Sequence, residues 1–330
     1  MKKSVSLLIV LFLTAAVLAG CGKKEPVLPE EEVKVAVLKG PTAIAMVNLM
    51  SKSDKAEAGL KYSFQIAGAA DEITADLIKG NIKIAAVPAN LASVLYNKTE
   101  GGIKVAAINN LGVLYIVELG NDINSVADLK GKTIYSTGKG ATPEYTLRYL
   151  LTMAGIDPDA DVTIEYKSEA TEVAALMSAA AEDENVIAML PQPYVTAVTT
   201  QNARARVALD VNTEWNKLAG EGSAIVTGVV VVNKEFAEKY PDAVKVFIDE
   251  FKASADSANS DIEGTAALLE GYDIFKAAIA KKAIPFCNIV NYTGDDMKKN
   301  VEAYLKVLFD QNPASVGGKL PADDFYLYVK

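Results

Sequence analysis

The sequence contains no histidine. Without an imidazole there is no Ser-His or Cys-His nucleophile pair, no paired-histidine zinc helix, and no side chain whose ordinary pKa lies near neutrality. Carboxylates and lysines are still present, so the argument against an enzyme is strong without being complete. Arginine is nearly as scarce, confined to Arg148, Arg204 and Arg206, and lysine supplies almost all the positive charge. A site built on forked guanidinium clamping of phosphate or carboxylate is therefore disfavoured. The formal net charge of -9 makes nucleic acid a poor partner. Tryptophan occurs once, at Trp215 between Asn212 and Gly220, which suits an outer lobe surface or its core.

What the chain does have begins with Lys2 and Lys3, an almost wholly apolar run from Val5 to Leu18, and the small pair Ala19 and Gly20, the layout of an export signal. The run is shorter than the ~20 residues a spanning helix needs. Leu18-Ala19-Gly20-Cys21 resembles the bacterial lipobox. That resemblance implies a signal peptide over residues 1–20, diacylglycerol linked to the Cys21 thiol, and an exported protein anchored at the outer face of the cytoplasmic membrane. With Cys21 lipidated, Cys287 has no partner and reads as a small buried thiol in a strand. Gly22 to Glu32, rich in glutamate, lysine and proline, has little to pack, so residues 21–32 read as an exposed tether.

About 310 residues follow the signal, two domains by the usual size prior. Strand and helix patterns alternate. Val33 to Leu38, Tyr62 to Ile66, Ile82 to Val87 and Ile103 to Ile108 read as strands, with helices over Ala43 to Met50, Asp71 to Ile78 and from Leu91. Gly112 to Val117 continues extended past Asn109 and Asn110 as a crossing out of the first lobe. A second series follows: strands at Thr133 to Ser136, Val162 to Tyr166 and Val186 to Leu190, with helices after Thr142 and over Thr171 to Ala181. Ala70-Asp71-Glu72-Ile73 and Ala170-Thr171-Glu172-Val173 occupy matching places, which suggests a duplicated lobe. Ala224 to Val232 is the return crossing, Asp242 to Ala255 and Glu263 to Lys282 are helical, the latter interrupted near Gly271, Pro285 to Tyr292 is the last strand, and Asp295 to Phe309 the last long helix.

The expected fold is α/β, two Rossmann-like lobes with mostly parallel sheets joined by a two-strand hinge, lobe 1 being residues 33–111 plus 229–330 and lobe 2 residues 112–228. Ligands of such sheets lie beyond the carboxyl ends of the strands. The loops there offer Thr42, Asn90, Gly138, Gly140, Ala141, Thr142 and Gln192 as ligand-binding residues, and Tyr115, Tyr194 and Tyr292 as stacking surfaces. Each has a plainer role: Thr42, Asn90 and Thr142 as helix caps, Gln192 as a solvated side chain, the tyrosines as half-buried packing. Lys139 is followed by Gly140, so the glycine loop is not a nucleotide cradle. No catalytic residue, metal ligand or cofactor motif stands out.

Val33 to Thr42, Ile82 to Asn90, Leu129 to Thr142 with the helix to Gly155, and Gly228 to Phe236, in that order behind a lipobox and acidic tether, resemble the solute-binding lipoproteins of ABC importers. The closest likeness is to the branch that binds sulfonates, nitrate and the pyrimidine precursor of thiamine, with the type II periplasmic-binding-protein fold. The resemblance implies a monomeric clamp that hands a small solute to a permease and its ATPase, and a solute that is a vitamin precursor, an aromatic or a sulfonate-like organic compound. The missing arginine clamp favours an aromatic or neutral organic solute. A surface-anchored sensor and an enzyme of the same fold are the alternatives; a pyrimidine synthase of this fold uses its own histidine, which this chain lacks.

Overall fold

The computed structural model describes residues 26–219 and 224–329, so the signal segment, Cys21 and the start of the tether lie outside the described residues. Two sheets organise the chain. The first has the order β11-β4-β10-β3-β1-β2, from β1 (Val33–Leu38), β2 (Tyr62–Ala67), β3 (Ile84–Pro88), β4 (Ile103–Leu111), β10 (Val226–Asn233) and β11 (Ile289–Tyr292). The second has the order β7-β6-β8-β5-β9, from β5 (Leu114–Glu118), β6 (Thr133–Ser136), β7 (Thr163–Tyr166), β8 (Ile187–Pro191) and β9 (Arg206–Asp210). The chain leaves the first sheet after β4 and re-enters it at β10.

Both sheets are mixed, where a mostly parallel arrangement was expected. β1 pairs β2 and β3 in parallel, while β10 runs antiparallel to β3 and β4, and β11 antiparallel to β4. Likewise β6 is parallel to β7 and β8, and β5 antiparallel to β8 and β9. The reason is topological. A strand that has just crossed enters its sheet from the seam and must run against the strands that end there.

Helices cover the faces: α1 (Pro41–Asp54), α2 (Asp71–Ile78), α3 (Ala89–Lys98), α4 (Thr142–Met153), α5 (Ala170–Ala179), α6 (Tyr194–Gln201), α7 (Val211–Ala219), α8 (Lys234–Lys239), α9 (Pro241–Ser260), α10 (Ile262–Gly271), α11 (Ala277–Ala283) and α12 (Gly294–Gln311). The alternation along β10 shows why both faces are covered. Val230 and Val232 enter one core with Ile44, Phe247 and Phe251, whereas Val229 and Val231 enter another with Leu95, Val301 and Leu305. That second core runs on into Leu147, Leu150 and Trp215, so apolar packing continues from one sheet's helices to the other's.

One local expectation changes. Ile284–Phe286 is a 3-10 turn, and the last strand starts only at Ile289. Pro285 has no N–H for a ladder, and Asn288 at φ 44 turns the chain before β11. Trp215 is fully buried, packed between Tyr149 of α4 and Tyr304 of α12.

Candidate binding site

β1, β3 and β4 end at one edge of the first sheet, and β10 begins there, with Gly228 opposite both Pro88 and Asn110. Facing this edge are the start of β5 and the ends of β6 and β8, with Leu114 opposite Pro191. The seam between these edges is where the candidate residues fall.

Asn90 is 1% exposed and reaches across the seam. Its Nδ2 donates to the Gly140 carbonyl at 3.1 Å and to the Ser315 carbonyl at 3.2 Å, and its Oδ1 accepts from the Thr142 hydroxyl at 3.4 Å. Asn90 and Thr142 are therefore not the N-caps of their helices; Pro88 and Ala141 hold those positions. Pro143 sits at the second helical position, which moves Thr142 inside the helix and frees its hydroxyl for Asn90. Gly138 and Gly140 have φ of 68° and 76°, left-handed values that suit glycine, and carry the loop around Ala141 to α4. The Gly140 N–H is taken by Glu144 at 2.6 Å.

The remaining candidates divide. Thr42 closes its own loop: its hydroxyl donates to the Leu38 carbonyl at 2.7 Å and accepts from the Leu38 N–H at 3.2 Å. Gln192 is buried rather than solvated, and its Oε1 accepts from the Thr196 hydroxyl at 2.8 Å, anchoring the first turn of α6. Tyr194 packs edge-on against Phe275 from the α10–α11 connection, with ring centres 5.2 Å apart, and burial pushes its phenol up to about 12. Tyr115 donates to the Phe286 carbonyl at 3.5 Å, and its phenol is likewise pushed up to about 12 by burial. Tyr292 stands apart, 39% exposed at the end of β11.

A second set of residues was not singled out by sequence. Seven buried side-chain polar atoms among the described residues have no hydrogen-bond partner, and five belong to Asn109 (Nδ2 and Oδ1), Asn110 (Oδ1), Thr227 (Oγ1) and Asn291 (Oδ1). Asn109 and Asn110 converge on Gly228, with Thr227 next to Gly228 in β10 and Asn291 beside them in β11. Asn110 pairs with Gly228 while Ile108 pairs with Val229, so Asn109 is the extra residue of a bulge in β4. β11 passes the same point irregularly between Ile289 opposite Asn110 and Tyr292 opposite Ile108. A bulge re-aims a side chain and interrupts the ladder, and here it turns two successive asparagines onto Gly228. A Cβ at Gly228 would lie 2.3 Å from Asn110 Oδ1, 2.4 Å from Asn109 Oδ1 and 3.1 Å from Thr42 Cγ2. The signal in the sequence was two amide side chains inside an otherwise apolar strand.

Charge is arranged away from this cluster. Arg206 is paired with the buried Glu118 at the far end of β5, Arg204 donates to the carbonyls of Ala180, Ala181, Glu182 and Glu184, and Arg148 binds Asp159. Of the lysines in the seam loops, Lys39 donates to the Asp273 carbonyl at 3.5 Å and Lys139 lies over the Tyr166 ring. A cavity of about 370 Å³ opens between α5, α6 and the α10–α11 connection, walled by Tyr194, Phe275 and Ile279 with Lys39, Asp273 and Lys276 among its polar lining. Among the described residues, no group of His, Cys, Asp or Glu is placed to hold a metal ion. None of the described helices is long and apolar enough to cross a membrane.

A family model described as NMT1/THI5 like matches residues 56–261. The chain belongs to this family. No curated protein sequence matches it. Among solved structures, the NMT1/THI5-like chain is similar to an ABC transporter protein of Parabacteroides distasonis, with 26% identity and TM-score 0.73 over 91% of this chain and 99% of that one. It also shares its fold with the periplasmic aliphatic sulphonate binding protein SsuA of Escherichia coli, at 16% identity and TM-score 0.70 over 92% and 94% of the two chains. A third similar structure is the periplasmic nitrate-binding protein NrtA of Synechocystis PCC 6803, at 15% identity and TM-score 0.66 over 90% and 84%. The fold of this NMT1/THI5-like protein is thus the type II periplasmic-binding-protein fold.

Proposed function

We propose that this protein is the solute-binding component of an ABC importer, capturing a small organic solute between its lobes and presenting it to a permease and ATPase. The lobes are residues 33–111 plus 229–330 and residues 112–228, closing over the seam. The observation that carries the reading is the unpartnered amide atoms of Asn109 and Asn110 that converge on Gly228 at that seam, with further unpartnered atoms on Thr227 and Asn291 in the adjoining strands. Each buried orphan costs about 1–3 kcal/mol, a debt that a solute supplying the missing partners removes. Across the seam, Asn90, Gly140 and Thr142 already join the two sheets, so solute contacts and lobe contacts form in the same place.

The mechanism is linkage. A solute favours the closed form only by what it gains there over the open form, and the closed surface is what a permease reads. Binding needs no covalent step, so the protein acts as a carrier rather than an enzyme. Export and a lipid anchor on Cys21 would hold it beside its permease, as a monomer, on the outer face of the membrane.

The test is native mass spectrometry of the lipid-free protein from residue 22, joined to a thermal-shift panel of vitamins, vitamin precursors, amides and sulfonates. A co-purified small molecule, or a compound whose stabilisation grows with concentration and weakens in Asn90→Ala, is the expected result. A chain that arrives empty and answers no compound, or one that turns a bound compound over, ends the reading.

A further inference from the structure

Resting on that reading, we infer that the captured solute is uncharged and meets the first lobe through an amide-like edge, N–H donors beside a carbonyl acceptor, as in a carboxamide, lactam or ureide. The unpartnered atoms form a ledger. Three are amide oxygens, of Asn109, Asn110 and Asn291, which only accept; one is the Asn109 amide nitrogen, which only donates; one is the Thr227 hydroxyl, which does either. Asn110 is fixed in orientation because its Nδ2 donates to the Leu111 carbonyl at 3.3 Å, leaving its oxygen as the open end. Asn109 is open at both ends, so either orientation of its amide offers one donor and one acceptor side by side.

Three open acceptors call for N–H or O–H donors. Nitrate and sulfonate oxygens only accept, so such an anion leaves the three amide oxygens unpaired in the closed seam, and no arginine is free to offset its charge. A cationic amine fails for a different reason. It gives the Asn109 nitrogen nothing to donate to, and the only fully buried carboxylate among the described residues, Glu118, is held by Arg206 and by the N–H groups of Asp122 and Ile123 at the far end of β5. An amide edge satisfies both ends of Asn109 in one two-bond pair, and a second N–H reaches a neighbouring oxygen. Gly228 belongs to the same device, since only a residue without Cβ leaves both asparagine oxygens where they are.

The experiment compares three probe sets by thermal shift and calorimetry on the lipid-free protein: hydantoin, allantoin and nicotinamide; ethanesulfonate and nitrate; ethanolamine. At least one amide-edge probe should stabilise the protein. In Asn109→Leu that response should fall by about tenfold or more in affinity, while the unliganded melting temperature stays level or rises, because leucine of similar reach withdraws two unpaired polar atoms from the interior. If that variant does not fold, Asn109→Asp keeps the shape, replaces the donor with an acceptor, and should weaken the same probe by about tenfold or more. Stabilisation by the anions or the amine alone overturns the solute class and leaves capture standing. An amide probe that binds Asn109→Leu as it binds the parent overturns the inference. Silence from all three sets overturns it too, and if no co-purified molecule is found, the capture reading falls with it.

Discussion

At Gly228 a single hydrogen separates a working seam from a crowded one. An added methyl would sit 2.3 and 2.4 Å from two amide oxygens, distances no real Cβ tolerates, and Asn110 can turn away only by giving up its hydrogen bond to the Leu111 carbonyl. Replacing a strand glycine by alanine ordinarily gains about 0.5–1 kcal/mol from backbone entropy. Overpacking costs about 1–3 kcal/mol and wins here. Gly228→Ala is therefore expected to lower the free energy of unfolding in urea with an unchanged m-value, and to weaken solute binding as the amides rotate out of place. Full stability together with full binding in that variant would show that the asparagines turn freely and that their placement is not the site.

Among the elements, α12 links the helices of the two sheets. It carries Tyr304 to α4 and α7, where the hydroxyl meets the Thr146 hydroxyl at 3.2 Å and the ring lies 5.5 Å from Trp215, itself 4.6 Å from Tyr149. All of Tyr304 is buried, and Tyr304→Phe is expected to cost about 1 kcal/mol by removing one buried hydrogen bond while the ring stack stays. The chain's only tryptophan reports the outcome directly: Trp215 emission should keep its position in the folded variant, and the urea midpoint should move down. A red-shifted emission in native buffer would mean that the hydroxyl, not the ring stack, holds this seam together.

That helix also marks the limit of what sequence makes legible. β3 and β8 are continuous apolar runs closed by proline, and β1 and β10 are apolar but for Lys34 in the one and Thr227, Gly228 and Asn233 in the other; such runs declare buried strands. β9 and α7 do not. Their apolar residues are interleaved with polar ones, and the buried side, Leu209, Val211 and Trp215, is set by partners that arrive from α4 and from the distant α12. The candidate loops were readable since strand ends can be located from pattern. The asparagine cluster was not, because its bulge is a matter of register between β4, β10 and β11, and register is decided by contacts remote in sequence.

For the molecule as a whole, the missing histidine becomes a pH profile. At the acid end, Asp324 is held below the usual carboxylate range by hydrogen bonds from Lys104 and Tyr96, and Asp159 by the Arg148 guanidinium. Their folded pKa values lie below the unfolded ones, so the stability they add is present above the ordinary carboxylate range and is lost as pH falls through the folded values. Both are exposed carboxylates, which keeps each contribution small. At the basic end, burial lifts the phenols of Tyr115, Tyr194 and Tyr304 to about 12. The sign reverses: folding favours the neutral phenol, so this stability is intact below the unfolded value of about 10 and drains away as pH rises toward the folded one. Between these limits no histidine titrates, burial pushes the Cys287 thiol up, and the orphaned groups of the seam are amides and a hydroxyl that do not titrate at all. Calorimetric melting temperature should be level from about pH 5 to about pH 9 and fall on either side. With a non-ionising probe such as nicotinamide at about pH 7 and above, affinity measured at about pH 7 and about pH 9 should agree within about twofold. A tenfold change across that interval would place an ionising side chain against the solute, and the uncharged seam built from Asn109, Asn110, Thr227 and Asn291 would no longer describe where it binds.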